Sequence, residues 1–328
     1  MTNSIDLSPQ SAVDSQDSTG TVPSPRTRRR GRRDATATAE RTITSPLSLS
    51  RRAVRIRYWI AFGVLTAALA VVALGPLYWL VTGSLKSTPE LVRTPPTLFP
   101  GHAEWSNLSY AWSRLQVGKF MYNTILLAGG TLLAQLVIAV TGAYTLSIIR
   151  PAGHRIWLGL ILATLFVPAT IIFIPTYVTI VHIPIVHLNL INSRFAVWLP
   201  EAANAFNLYL LKRFFDQIPA ELIDAARMDG ANSAQVLRHV VLPLSRSIIA
   251  VICIFSIIAS WKDFLWPKIT LPDPMKQPIS VALANLQSSI QVKYTLAALL
   301  IASIPPVVAF LLLQKRIIGG LADTGLTK

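Results

Sequence analysis

A chain of 328 residues that is 52% hydrophobic and only 14% charged, with a mean hydropathy of +0.50, is too apolar for an ordinary soluble domain and belongs to the membrane class. Its formal net charge of +15 comes from 30 Lys and Arg against 15 Asp and Glu, and its single cysteine, Cys253, excludes an internal disulfide or a thiolate metal cluster. Lipid is the solvent in which this sequence folds.

Residues 1–57 are a different material, rich in Ser, Thr, Ala and Arg and almost devoid of large apolar side chains, so they cannot bury a core and are expected to be a disordered basic tail. The cluster Arg26, Arg28, Arg29, Arg30, Arg32 and Arg33, followed by Arg51, Arg52, Arg55 and Arg57, suits anionic lipid headgroups, at about 1 kcal/mol per residue near a surface. No aromatic interleaving or folded module accompanies it, which argues against nucleic acid as a partner. Ala68-Leu-Ala70 resembles a signal-peptide cleavage site but lies inside continuing apolar sequence, so the first span is expected to stay.

From residue 58 to the C-terminus the chain reads as an all-α membrane domain with six segments, each able as a helix to cross about 30 Å of hydrocarbon. They run from Tyr58 to Val81, Tyr122 to Ile149, Ile156 to Val181, Phe195 to Leu211, Ser247 to Trp266 and Tyr294 to Leu313. The fourth is the shortest and is interrupted by Pro200, Glu201, Asn204 and Asn207. Lys and Arg in short loops are held on the cytoplasmic side. A cytoplasmic N-terminus puts Arg150, Arg155, Lys212, Arg213, Arg227, Arg238, Arg246, Lys315 and Arg316 there together, and six spans return the C-terminus to the same side. Pro168 and Pro175 in the third span, and Pro305 and Pro306 in the sixth, remove backbone hydrogen bonds and favour kinks or breaks.

Between the fourth and fifth spans lies a polar stretch. Pro219 suits a first helical position and Glu221 puts negative charge in the first turn, so a short helix is predicted from Pro219 to Met228. Gly230 supplies the left-handed residue that ends it. Asn232 with Gln235 has the spacing of a capping box, and a second helix is predicted to run to Leu242, before Pro243. The turn is small-sided at Ala225, Ala226, Gly230 and Ala231, with Asp224, Arg227 and Asp229 around it. Such a knuckle can enter a cleft on a partner; an interfacial amphipathic helix is the other reading of the residues alone.

Candidate pathway residues are fewer. Lys262 can snorkel toward an interface, whereas the shorter Asp263 gains most by facing a wet cavity or a cation. Trp261 and Trp266 flank them and can stack on a sugar face or anchor at headgroup level. Asn204, Asn207, Gln135 and Tyr144 are polar positions that serve either a pathway or helix–helix hydrogen bonding. His182 and His187 have no acidic or Cys companion at ligand spacing, so no metal site is expected. No nucleophile elbow, paired-His helix or phosphate loop occurs: Gly118-Lys119 is followed by Phe120 and lacks the upstream glycine. No catalytic residue is expected.

The run Ile218-Pro219, Glu221, Asp224-Ala225-Ala226, Asp229-Gly230-Ala231 to Leu242-Pro243 resembles the EAA loop of binding-protein-dependent ABC importer permeases. Leu190-Ile-Asn192, Phe214-Phe215 and Phe264-Leu-Trp-Pro267 are similar to the carbohydrate-uptake branch, of the maltose and glycerol-3-phosphate kind. The chain departs from that pattern at Asp224, where Glu is usual, at Leu237, where an aromatic is common, and at Lys262, where Asn is common. The resemblance implies a type I importer permease of six transmembrane helices in a bacterial cell membrane. Its cytoplasmic coupling helix lies between spans four and five, in a loop over about residues 214–243. It also implies a second homologous permease subunit, two P-loop ATPase subunits that carry the ATP and Mg, and an extracytoplasmic solute-binding protein; this chain itself would bind no cofactor. Glu221, Asp224, Ala225, Ala226, Asp229, Gly230, Ala231 and Pro243 would couple to the ATPase, and Asn204, Asn207, Trp261 and Asp263 would line the pathway for a sugar or sugar-like solute. An ion-coupled secondary transporter would need intramembrane carboxylates, for which only Glu201 and Asp263 qualify, and usually an internal repeat. A non-transporting scaffold or sensor is the remaining alternative.

Overall fold

The computed structural model describes residues 52–184 and 187–325; the tail cluster Arg26 to Arg33, with Arg51, lies outside them. The helix that carries the first span begins at Arg52, so Arg52, Arg55 and Arg57 lie in its opening turns. The chain divides after Thr66 into two units, and the described residues of the first, 52–66, are the beginning of that helix.

Every regular element among the described residues is a helix, and none is a strand. In chain order the helices are α1 (Arg52–Ser84), α2 (Thr88–Leu91), α3 (Ser106–Ser113), α4 (Val117–Tyr144), α5 (His154–Ala163), α6 (Ala169–Val181), α7 (Phe195–Ala202) and α8 (Ala205–Phe215). Then follow α9 (Ala220–Met228), α10 (Ser233–Val236), α11 (Leu242–Leu244), α12 (Arg246–Lys262), α13 (Leu265–Thr270), α14 (Ile279–Leu286) and α15 (Val292–Gly325). All six predicted apolar segments are helical, but only those in α1, α4 and α15 are continuous helices long enough to cross a membrane.

The other three are broken, each for a local reason. The third bends by 105° between Phe166 and Ala169. Pro168 there has no N–H to continue the helix and holds Val167 in an extended conformation. Pro175, Pro305 and Pro306, in contrast, sit inside unbroken helices. The fourth splits at Ala203–Asn204, where the Asn204 carboxamide accepts the Asn207 N–H at 2.9 Å and starts α8, which runs on to Phe215 instead of stopping at Leu211. The fifth ends at Lys262 rather than Trp266. In a continuous helix the ring of Pro267 would meet the carbonyl of Asp263, four residues back, and the helix breaks at that residue.

Helix α4 is the axis of the bundle, packing against α7, α8 and α12, while α12 also packs on α15 and α15 on α3. Three polar ties pin the α4 segment, at positions 123, 135 and 147, each twelve residues from the next and so roughly 18 Å apart along a helix. Asn123 donates to the carbonyls of Met275 and Gln277 at 2.8 and 3.1 Å. Gln135 joins a knot with Asn207 and Ser256, and Ser147 donates to Asp216. At the Asn123 end a cap between α1 and α4 contains the fully buried Lys86, whose ammonium donates to the Thr97 carbonyl and lies 4.5 Å from the Trp79 ring centroid. There too, the Gly101 N–H at 2.9 Å holds the Glu90 carboxyl below the usual carboxylate range.

Candidate functional site

At the Ser147 end, α8 delivers the chain into α9 to α11. Pro219 stands one position before α9 as its cap, not as its first residue, with ψ 132°; Glu221 occupies the first turn and Arg227 the last, both favourable to the helix dipole. The turn closes as a Schellman motif: the Gly230 N–H donates to the Arg227 carbonyl and the Ala231 N–H to the Ala226 carbonyl, both at 3.0 Å. Gly230 has φ +85°, which this motif requires and which side chains with a Cβ resist. Both halves of the capping box are formed, Asn232 Oδ1 accepting from the Gln235 N–H at 2.9 Å and Gln235 Oε1 from the Asn232 N–H at 2.8 Å.

The second helix does not stop before Pro243. It loosens into a π turn over Leu237–Val241 and ends in α11, which contains Pro243. A proline at that place removes one helical donor, and a widened turn just ahead of it is the local adjustment. Beyond Ser245 the chain turns by 80° into α12.

One side chain anchors α9. Ile223 is buried in a cluster with Tyr144 from α4, Leu211 and Phe215 from α8, Val236 and Val241 from the second helical stretch, and Ile252 from α12. Ala226 and Ala231 rest on its edge. The opposite face carries Asp224, Ala225, Met228 and Asp229 to the exterior, Met228 with 88% of its surface exposed. Asp224 and Arg227 approach to 3.8 Å on that exposed face, an ion pair that contributes little to stability. Beside the turn is a cavity of about 240 Å³ bounded by Asp229, Gly230 and Ala231 on one side and Gln235 and His239 on the other. Seven of the eight predicted coupling residues therefore lie on one knuckle, and Pro243 lies at the corner behind it.

The sequence reading missed Asp216, which holds the arm beneath the knuckle. Its carboxylate accepts from Ser147 Oγ at 2.7 Å, pairs with Lys212 one turn back and lies 4.0 Å from Arg150. Along the sequence Lys212 and Arg150 read only as charges that orient the chain; the Lys212/Asp216 spacing of four residues is the available signal. Asp216→Ala leaves the mostly buried Lys212 without its counter-charge and is expected to lower stability by about 1–3 kcal/mol. Thermal unfolding in mild detergent checks this, and Lys212→Met combined with Asp216→Ala is expected to lose less than the sum of the two.

Toward the other end of α12 lies a second feature. Asn207 is buried and donates to Gln135 Oε1 at 3.1 Å and to Ser256 Oγ at 3.3 Å, Ser256 Oγ donates to Gln135 Oε1 at 2.6 Å, and Gln135 Nε2 donates to the Glu201 carbonyl at 2.9 Å. Asn207 thus ties α8 to α4 and α12, because an amide in hydrocarbon needs its partners inside the protein. Asn204 is occupied as the cap of α8. Trp261 donates to the Ala302 carbonyl at 3.2 Å and packs against α15, and Trp266 is buried, donating to the Ala196 carbonyl at 2.9 Å with Phe173 edge-on at 5.3 Å. Of the four expected pathway residues, Asp263 lines a cavity. That space, about 250 Å³, opens at the break after α12 and is shared by Glu201, Ser260, Lys262 and Asp263 over a floor of Leu127 and Val197.

Residues 135–321, which hold the knuckle, the knot and the cavity residues of α7 and α12, match the family described as binding-protein-dependent transport system inner membrane component. The chain belongs to that family. Among curated relatives, the sn-glycerol-3-phosphate transport system permease protein UgpE of Yersinia pestis is 29% identical over 262 residues, 76% of this chain and 90% of the relative. Its counterpart in Rhizobium meliloti is 29% identical over 265 residues, covering 77% and 92%. Among solved structures, a chain from a bacterial ABC transporter involved in the import of the acidic polysaccharide alginate superposes with a TM-score of 0.70 at 27% identity, over 80% of this chain and 97% of that one. Membership in this permease family favours an ABC importer permease over the ion-coupled carrier and the scaffold.

Proposed function

We propose that this chain forms half of the membrane channel of an ATP-driven importer for a polyhydroxylated, sugar-like solute, working with a second permease, two ATPase subunits that carry ATP and Mg, and an extracytoplasmic solute-binding protein. The observation that carries this reading is the exposed, doubly capped knuckle around Gly230, whose anchors, Ile223 on α9 and Val236 on α10, sit in the cluster where α4, α8 and α12 converge. Force applied to the knuckle by a closing ATPase pair would reach all three helices at once. Helix α12 leaves that corner and, after 17 residues or roughly 25 Å, ends at Lys262 beside the Glu201 and Asp263 cavity. It acts as a lever between coupling end and pathway.

The Arg-rich loops support a cytoplasmic placement of the knuckle and of both termini. In the cavity, two carboxylates supply hydroxyl acceptors and Lys262 a donor, a set suited to an alcohol-rich ligand. The experiment is reconstitution of the assembly that co-purifies with this chain into proteoliposomes, followed by uptake of labelled sugars. Uptake is expected to require ATP and to survive ionophores, and Asp263→Asn with Glu201→Gln is expected to reduce uptake about tenfold or more while the ATPase still co-purifies. Uptake abolished by ionophores alone, or co-purification without any ATPase, would sink the reading.

A further inference from the structure

Behind the knuckle, α4, α11 and the beginning of α12 line an open groove of about 580 Å³. Its wall is mostly hydrocarbon, with Leu136, Val137 and Val140 from α4 and Ile249 from α12, and the one other polar side chain on it, Thr141, donates its hydroxyl to the Val137 carbonyl at 2.7 Å. Two guanidiniums share the same groove, Arg238 from the π turn and Arg246, which opens α12 one turn before Ile249. Both are exposed, and among the described residues neither has a carboxylate partner. A paired cation on a helix surface would be unremarkable; two unpaired ones at the mouth of an apolar slot select for a particular kind of molecule.

We infer that this groove binds an anionic phospholipid, with its phosphodiester between Arg238 and Arg246 and an acyl chain along Leu136, Val137, Val140 and Ile249. The argument is complementarity. A free anion would satisfy the two arginines and leave the apolar wall wet, and an apolar helix from another subunit would cover the wall and leave two guanidiniums without counter-charge. A phospholipid supplies both parts, and basic pockets between helices at the cytoplasmic boundary are where such headgroups bind. The assignment goes beyond the importer reading and uses it only to say which leaflet is meant. A lipid seated there touches the coupling segment at Arg238 and the lever at Arg246, so the content of anionic lipid would set how firmly the two are joined.

The test is native mass spectrometry of the full-length chain and whatever co-purifies with it, in mild detergent with mixed micelles of phosphatidylglycerol and phosphatidylcholine. Phosphatidylglycerol is expected to be retained in preference, and Arg238→Gln and Arg246→Gln are each expected to lower its retention about fivefold, whereas Arg213→Gln on α8 is not. Val140→Trp, which fills the slot without changing charge, is expected to abolish retention. Equal retention of the two lipids, equal loss in the Arg213 variant, or displacement of phosphatidylglycerol by millimolar inorganic phosphate would overturn the assignment. Should the arginine variants fail to fold, a photo-crosslinking residue at position 140 in the otherwise native chain decides: a lipid adduct supports the site, and a crosslink to another polypeptide shows a subunit interface and refutes it.

Discussion

Gly130→Ala is expected to lower the stability of the folded protein markedly, while Gly129→Ala, one residue earlier on the same helix, is expected to match or slightly exceed the parent. A Cβ placed on Gly130 would lie 2.1 Å from Cε2 and 2.4 Å from Nε1 of Trp198 on α7, distances at which something must move. The indole cannot swing away cheaply. Its Nε1 donates to the Leu127 carbonyl of α4 at 3.1 Å, and Phe195 stands edge-on to it at 5.2 Å. The choice is between breaking that bond and prising α7 from α4, and overpacking of this kind costs about 1–3 kcal/mol or more. Close approach through a small residue is the ordinary way helices pack where lipid removes the hydrophobic drive between them. Around Gly129, in contrast, a Cβ meets nothing within 4 Å, and Ala gains roughly 1 kcal/mol in helix propensity over Gly. Thermal unfolding of both variants after extraction in the same detergent is the check, with Gly130→Ala plus Trp198→Leu expected to recover part of the loss. Equal midpoints for the two single variants would mean that the α4–α7 contact is looser than described.

Gly230→Val is expected to separate ATP hydrolysis from solute delivery. Here too a Cβ has open space around it, so crowding contributes nothing and the whole effect is conformational. At φ +85° a β-branched residue is strained by about 1–3 kcal/mol. By the usual conversion, 2 kcal/mol shifts a local equilibrium roughly 30-fold away from the Schellman turn. Losing it releases the Ala231 N–H from the Ala226 carbonyl and changes the angle between α9 and α10. Gly230→Asn, which tolerates the left-handed region, is expected to lose far less than Val. Ser245→Ala is the contrasting variant near the same corner: the Ser245 hydroxyl is fully buried without a hydrogen-bond partner, so its removal is expected to be neutral or slightly stabilising. Wild-type substrate-driven ATP hydrolysis in Gly230→Val membranes would refute the coupling role proposed for the knuckle.

The knuckle was readable along the chain because each of its signals is local: Gly230 for a left-handed residue, Asn232 with Gln235 for two reciprocal caps, Glu221 and Arg227 at opposite ends of one helix. The end of the fifth span is equally local: Pro267, four residues after Asp263, disfavours a helix running through Trp266, and here the helix ends at Lys262. Trp261 and Trp266 were a different case. Each has an N–H that must find a partner once buried, and whether that partner is a sugar hydroxyl or the carbonyl of Ala302 or Ala196 depends on residues dozens of positions away. The same holds for Asn207, whose carboxamide went to Gln135 and Ser256.

What the sequence determined by itself is therefore what hydropathy, charge and short-range chemistry control: an all-α membrane chain, six apolar segments, Arg-rich loops and a capped turn between the fourth and fifth segments. Only the tertiary structure decided which polar groups face one another and which small residues bear a neighbour. Gly129 and Gly130 are identical in composition, helix and hydropathy, yet Trp198 stands against one and not the other. Arg150, Lys212 and Asp216 read separately as loop and helix charges, yet they meet around one carboxylate. The physical reason is that a side chain in lipid must satisfy its polar atoms and its volume within the protein, and the groups available to do so are set by how distant helices cross.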